Sequence, residues 1–382
     1  MPLHLTFAIS LLGFIAVSMS RVVLQLFALQ LGATATQVGI LVALFYVCPL
    51  LLSLPAGAWA DRRGPHRPLL LSALIGTCGL AIPSFVQSLP ALYLAGALSG
   101  LSFSLLLVTV QNLVGVMSAP DRRAQNFGTF SLLASSSNFI GPLLAGFSID
   151  HVGYAFACLS AASFAFATGA LLAVRGRLLP GGRGASEAPA VRIVDALTDP
   201  AIVRILVIGS LVQLGTDLFQ FYIPVYGVGI GLTASAIGFL LACVAVASML
   251  VRLALAALVK RLGENLLLAY SFVLAATGFL LIPQLENVAL LAVVCFVFGL
   301  GTGCGQPIAT MLMFSSAAEG RSGEALGLRL TVNSLLRVIA PAAFGLVASA
   351  FGLAPVFYIN ATMMGFGAYF SSKKSFSRTG RR

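Results

Sequence analysis

Apolar runs of twenty or more residues recur along this chain from end to end, separated by short polar or glycine-containing breaks. A bilayer core of roughly 30 Å needs about 20 apolar helical residues per crossing, and each run is long enough. The pattern predicts twelve spans, at 4–29, 36–59, 68–88, 91–117, 124–149, 153–174, 201–227, 233–259, 264–283, 288–314, 323–350 and 354–372. The first lacks a basic leader and a small-residue cleavage site, so it reads as a retained helix rather than a signal peptide.

Composition agrees with the pattern. The 382 residues are 59% hydrophobic and 9% charged, with a mean hydropathy of +1.02, whereas soluble domains carry about 25% charged residues. Thirty-nine glycines and seventeen prolines would harm soluble helices but are tolerated in membrane ones. Cys48, Cys78, Cys158, Cys243, Cys295 and Cys304 all fall inside spans without a CxxC pair, as expected of small buried apolar residues.

The net charge of +11 changes the picture only through its placement. All but four of the twenty-two Lys and Arg lie in alternate connections or at the ends, among them Arg62, Arg63, Arg67, Arg122, Arg123, Arg175, Arg204, Lys260, Arg261 and Arg321, and the connections between carry none. That asymmetry is the positive-inside rule; it puts both termini and the 175–200 loop in the cytoplasm and gives no reason to expect a nucleic-acid partner.

Shifted by 199 residues, the chain matches itself without a gap. Gly32, Thr34, Ala35 and Gly39 meet Gly231, Thr233, Ala234 and Gly238; "DRRG" at 61–64 meets "KRLG" at 260–263; Gly100 meets Gly299; Gly128, Pro142, Gly146 and Gly153 meet Gly327, Pro341, Gly345 and Gly352. Residues that set backbone geometry are kept in register, which argues for two copies of one six-helix unit. The expected domains are a six-helix bundle over 1–175, a polar cytoplasmic linker over 176–200, and a second bundle over 201–382 with a short basic tail. The expected fold class is all-α integral membrane, with twelve transmembrane helices in two pseudo-symmetric six-helix bundles, an architecture that transporters use with the substrate at midplane.

Two stretches then resemble the major facilitator superfamily. "GAWADRRGPHRP", 57–68, is similar to its signature loop, with Gly57, Asp61, Arg62, Gly64 and Arg67 in place and Pro65 and His66 where basic residues are common. "GTFSLLASSSNFIGPLLAG", 128–146, resembles the glycine-rich motif of its drug-efflux members, with Gly128, Gly141, Pro142 and Gly146 in place and Ser137 and Ala145 where glycine is usual. The resemblance implies that Asp61, paired with Arg122 or a helix N-terminus, latches the two halves in the outward-facing state; a solvated loop that only fixes topology is the alternative. Gly128, Gly141, Pro142, Gly146 and Pro341 read as tight packing and controlled bending. One departure matters: drug–proton antiporters of this family carry an arginine in the fourth span where this chain has Gly96, and the first span holds no acid.

Apart from charges within four residues of a span's edge, five remain deep within spans: Arg21, Asp217, Arg252, Arg329 and Arg337. Each costs about 2.5–3.5 kcal/mol on insertion scales, so they should face a wet cavity or one another. Asp217, the only acid of eleven deep in a span, shares a helical stripe with Ser210, Gln213 and Gln220. Two readings compete for it: a proton-coupling carboxylate, or a structural ion pair with Arg21 or Arg337. Arg21 shares a stripe with Ser18 and Gln25; Arg329, Asn333 and Arg337 form another; Gln111, Asn112, Asn138 and Gln306 add neutral polar groups. The candidate substrate contacts are Arg21, Gln25, Gln111, Asn112, Asn138, Gln213, Gln220, Gln306, Asn333 and Arg337, and Arg21 or Arg337 suits a carboxylate or phosphate. Arg252 and Arg329 lie nearer the cytoplasmic ends and are expected to snorkel.

The expected function is secondary transport by alternating access in a bacterial inner membrane, with proton-coupled efflux of small organic or drug-like compounds first and uptake or exchange of an organic anion second; a non-transporting sensor is a third reading. The chain is expected to act as a monomer, without cofactor or metal. His4, His66 and His151 are scattered at membrane boundaries, and neither a catalytic constellation nor a Walker-type loop is present.

Overall fold

The computed structural model describes residues 2–119, 122–176, 179, 200–316 and 322–372, and within these ranges every regular element is a helix. In chain order they are α1 (Pro2–Gln30), α2 (Ala35–Arg63), α3 (His66–Phe85), α4 (Leu89–Met117), α5 (Arg123–Arg175), α6 (Pro200–Gly229), α7 (Ala234–Leu253), α8 (Leu255–Leu262), α9 (Glu264–Leu281), α10 (Val288–Ser316), α11 (Ser322–Phe351) and α12 (Leu353–Ser372). Among the described residues, nine helices are long and apolar enough to cross a membrane.

The apolar stretch of α5 runs to 51 residues. At 1.5 Å per residue that is about 76 Å, about two and a half times what one crossing needs. It is broken at Gly153, whose φ of 80° and ψ of 170° lie outside the helical region. The corresponding break in the second copy is Gly352, φ 84°, between α11 and α12. These belong to a larger set. Among the described residues, positive φ occurs only at Gly32, Gly64, Gly153, Gly231, Gly263 and Gly352, and these form three pairs 199 residues apart. A side chain is strained in that conformation, so glycine marks the seams between helices in both copies. The predicted span 233–259 departs from expectation: it is interrupted at Ala254, and its end forms the separate short helix α8, which closes on Lys260 and Arg261 and contains no buried residue.

By packing, the described chain divides into two compact units, residues 1–187 with 227–242 and residues 188–226 with 243–382. The linker expected over 176–200 falls almost entirely outside the described residues, and the start of α7 packs with the first unit.

Close helix approach in both units rests on small residues and hydroxyls rather than on large apolar contacts. In the first, Ser72 and Ser102 each donate to the other's carbonyl at 2.8 Å, joining α3 to α4. In the second, the mate of Ser72, Ser271, donates to the carbonyl of Gly301, the mate of Ser102. Larger side chains fill what remains. Phe219 stacks on Phe298 at 3.9 Å, Phe279 meets both edge-on, and Phe357 lies tilted against Phe279. That aromatic block lies beside Asp217 in sequence and fixes the rotation of α6.

Candidate functional site

Asp217 sits mid-way along α6, and its Oδ2 accepts from Arg337 Nε on α11 at 2.8 Å, with Arg337 Nη2 at 3.5 Å from Oδ1. Gln213, one turn earlier on α6, donates to the same Oδ2 at 2.8 Å. The side chains are 12% (Asp217) and 32% (Arg337) exposed, so the pair is held by the protein and not by solvent. Of the two partners the sequence left open, Arg337 is the one that meets Asp217. Two turns back on α6 and one turn back on α11, Ser210 Oγ donates to Asn333 Oδ1 at 3.2 Å. The two sequence stripes therefore face each other along one α6–α11 seam. Gln220, a turn beyond Asp217, is half-buried and outside this network.

Arg329 corrects an expectation. It does not snorkel: it is 5% exposed, donating through Nη1 to Thr310 Oγ1 at 2.7 Å and through Nη2 to Gln306 Oε1 on α10. Gln306 in turn donates to the Gly209 carbonyl of α6 at 3.3 Å. Room for the guanidinium comes from Gly209, where an added Cβ would stand 3.2 Å from Arg329 Nε. A helical wheel shows distance along a helix but not the neighbour that lacks a side chain. Arg252 is exposed and donates to the Gly303 carbonyl at 3.1 Å, in keeping with snorkelling.

In the first unit, Arg21 on α1 lies over three aromatic rings, 4.9 Å from the Phe45 centroid, 5.5 Å from Tyr46 and 5.1 Å from Phe103. Gln25, one turn on, is 8% exposed. Ser18 donates to Asn138 Oδ1 at 3.4 Å, joining α1 to α5. Gln111 is exposed and Asn112 half-buried on α4.

The latch residues fare unevenly. The side chains of Gly57, Asp61 and Arg62 lie outside those described; Gly64 caps α2 with φ 83°, and Arg67 and Arg122 are exposed. The packing residues separate into two groups. Gly141 meets Ser18, where an added Cβ would stand 2.6 Å from its Cβ; Gly146 meets the Ala234 carbonyl and Gly238 the Pro142 carbonyl; Pro341 is buried within α11. Gly128 does not belong with them: it is exposed and an added Cβ would meet nothing within 4 Å.

One functional candidate escaped the sequence reading. Asp150, at the end of the first half of α5, accepts from the backbone N–H of Ala234 at 3.1 Å and of Ser235 at 2.8 Å, capping α7. The signal was present in the repeat. Thr34 and Gln37 form a reciprocal capping box at the start of α2, but 199 residues later Thr233 is followed by Ala236 where Gln37 stood. Thr233 still accepts from Ala236 N at 3.2 Å, and where the box lacks its reciprocal half, Asp150 takes the next two N–H groups, those of Ala234 and Ser235.

A buried acid–arginine seam and a glycine-marked duplication are features of a transporter core. The family model described as Major Facilitator Superfamily matches residues 6–341. The chain belongs to this superfamily.

Within it, the Multidrug resistance protein MdtG of Klebsiella pneumoniae (strain 342) is 24% identical over 364 residues, 91% of this chain and 87% of MdtG. The Quinolone resistance protein NorA of Staphylococcus aureus is 24% identical over 137 residues, 36% of this chain and 35% of NorA, so the match spans about a third of that relative's length. Solved structures of the same fold include a POT family transporter, with a TM-score of 0.81 at 13% identity, covering 96% of this chain and 94% of that one. The nucleoside transporter NupG has a TM-score of 0.77 at 14% identity, covering 97% and 100%. Superfamily membership identifies the chain as a multi-pass membrane protein of a transporter superfamily.

Proposed function

We propose that this superfamily member exports small organic compounds from a bacterial cell across the inner membrane in exchange for protons. It works by alternating access, with residues of about 1–175 rocking against 200–382, as a monomer with both termini in the cytoplasm. The observation that carries the proposal is the Gln213–Asp217–Arg337 cluster. A proton and the Arg337 guanidinium compete for one carboxylate. When Oδ2 takes a proton from water, the ion pair is lost and Arg337 is left without its counter-charge in a poorly solvated seam, which costs several kcal/mol unless the seam rearranges. Release of the proton re-forms the pair. Proton uptake and release are thereby tied to the α6–α11 seam.

Efflux as the direction is supported by relatives named for multidrug and quinolone resistance and by the glycine-rich stretch of the fifth span. The chain lacks the fourth-span arginine of such antiporters, with Gly96 in its place, so coupling falls to the second repeat. The test is Asp217→Asn in proteoliposomes. Exchange of cargo between equal pools should persist while accumulation driven by a pH gradient falls at least tenfold; undiminished gradient-driven accumulation overturns the proposal.

A second reading, exchange of an organic anion, is favoured by one feature: among the described residues neither Arg21 nor Arg329 has a carboxylate partner. Flux of an acid that tracks a counter-anion gradient and ignores the pH gradient would select it.

A further inference from the structure

The arginines within and beside the spans differ in how they are satisfied. Arg337 has the Asp217 carboxylate, Arg329 has Gln306 and Thr310, Arg252 has the Gly303 carbonyl and Arg204 the Phe370 carbonyl. Every one of them reaches an oxygen. Arg21 reaches none: among the described residues it makes no hydrogen bond or ion pair, and its Nε is buried without a partner. What it has instead is three ring faces. Phe45 and Tyr46 are themselves buried, so the guanidinium is turned into the unit and away from lipid.

Ring faces offset only part of the cost of such a charge. A cation over an aromatic ring gains about 0.5–2 kcal/mol, but a π-face does not accept the in-plane N–H bonds that a guanidinium directs in a fork. The rings stabilise the charge and leave the guanidinium N–H groups without an oxygen. A planar oxyanion is the group that matches that edge, in bidentate fashion. One turn along the same face of α1, Gln25 is buried with its Oε1 unpartnered. That oxygen awaits a donor. The pairing of an unfilled cation and an unfilled acceptor on one helical face, against aromatic rings, describes a ligand with three parts: a carboxylate, a neighbouring hydrogen-bond donor and a flat apolar body.

We propose that Arg21 and Gln25, with Phe45, Tyr46 and Phe103, form the subsite for an aromatic carboxylate bearing an adjacent hydroxyl or amino group. This rests on the transport reading, and it narrows the cargo to amphiphilic organic acids. The carboxylate bonds Arg21, the adjacent O–H or N–H donates to Gln25 Oε1, and the ring lies against the aromatic side chains. Arg337 is not the anion site, because Asp217 already occupies it.

The experiment is equilibrium binding to the full-length protein in nanodiscs, with salicylate, benzoate and salicylamide as probes. Salicylate should bind at least tenfold tighter than the neutral salicylamide and severalfold tighter than benzoate, which lacks the donor. Arg21→Gln should abolish the preference for acid over amide. Arg21→Lys, which keeps the charge but not the flat fork, should retain part of it, and Gln25→Leu should remove the advantage of salicylate over benzoate. Equal binding of acid and amide, no binding of any probe at millimolar concentration, or loss of all three probes alike in Arg21→Gln with an unchanged melting temperature would each overturn the subsite. Inorganic phosphate competing as well as salicylate would also overturn it, since the rings would then select nothing. Failure of the transport reading is visible separately: wild-type protein that binds salicylate but moves no probe in proteoliposomes keeps the subsite and loses the transporter mechanism.

Discussion

Residue by residue, the second unit shows how a membrane interior accommodates three ionic groups, Asp217, Arg337 and Arg329. Asp217 and Arg337 neutralise each other, while Arg329 is held by neutral oxygens that share its charge among several dipoles. These two solutions predict different mutational costs. Replacing Arg329 by Met removes two hydrogen bonds of the charged kind, worth about 1.5–3 kcal/mol each at most, and leaves Gln306 Oε1 and Thr310 Oγ1 to find other donors. A fall in melting temperature of several degrees in detergent is expected; a snorkelling arginine could be truncated with almost no effect, so an unchanged melting temperature would refute the buried assignment. The stripe Ser210–Gln213–Asp217 was legible in the sequence because helical spacing alone aligns it. The state of Arg329 was not, because it depends on Gly209 of another helix, 120 positions away, offering no side chain. The aromatic cradle of Arg21 was hidden for the same reason: Phe45, Tyr46 and Phe103 read as ordinary apolar content of their own spans.

At the level of elements, helix starts distinguish the two copies. α2 caps itself with Thr34 and Gln37, while α7, with Ala236 in place of glutamine, has Thr233 on the Ala236 N–H and Asp150 of α5 on the N–H groups of Ala234 and Ser235. Exposed N-caps contribute about 0.5–2 kcal/mol, and here that stabilisation fastens α7 to α5 as well as to itself, alongside the close approaches of Gly146 to Ala234 and Gly238 to Pro142. Asp150→Ala should therefore loosen this junction, seen as severalfold faster labelling of a cysteine placed at Ser235. Adding Ala236→Gln should rebuild the box within α7 and protect the helix start without re-joining it to α5. Labelling at Ser235 should then fall back toward wild type, while labelling of a cysteine at Gly238 stays fast. If Ala236→Gln restores both, Asp150 is only a cap and does not fasten the two helices. Element boundaries were legible to within a few residues, since apolar runs and glycines set them. The break at Ala254 was not, because no proline or glycine marks it and the apolar run continues through it.

Across the whole molecule, the 199-residue period read from the sequence reappears as backbone geometry, in three pairs of positive-φ glycines, and it reaches the functional seam. The mates of Asp217 and Arg337 are Ser18 and Asn138, and these two also touch, through a hydrogen bond of 3.4 Å between α1 and α5. One structural position is thus filled twice, by an ion pair in one copy and by a neutral pair in the other. The two copies share the scaffold and divide the chemistry: the paired charges of Asp217 and Arg337 lie in the second, and the unfilled cation Arg21 lies in the first. This supplies an internal control for the coupling proposal. Asp217→Ser together with Arg337→Asn copies into the second unit the pair that the first already tolerates, leaving no unpaired charge behind. The doubly substituted protein should fold with a melting temperature near that of wild type, whereas each single substitution strands a charge and destabilises, by about 2 kcal/mol when the 3–5 kcal/mol typical of a fully buried pair is discounted for the 32% exposure of Arg337. Its transport should be facilitated diffusion: exchange retained, accumulation absent, and rate independent of the pH gradient. If the double variant still accumulates cargo against its gradient when acidified outside, the ion pair is scaffolding, and the proton is carried elsewhere in the chain.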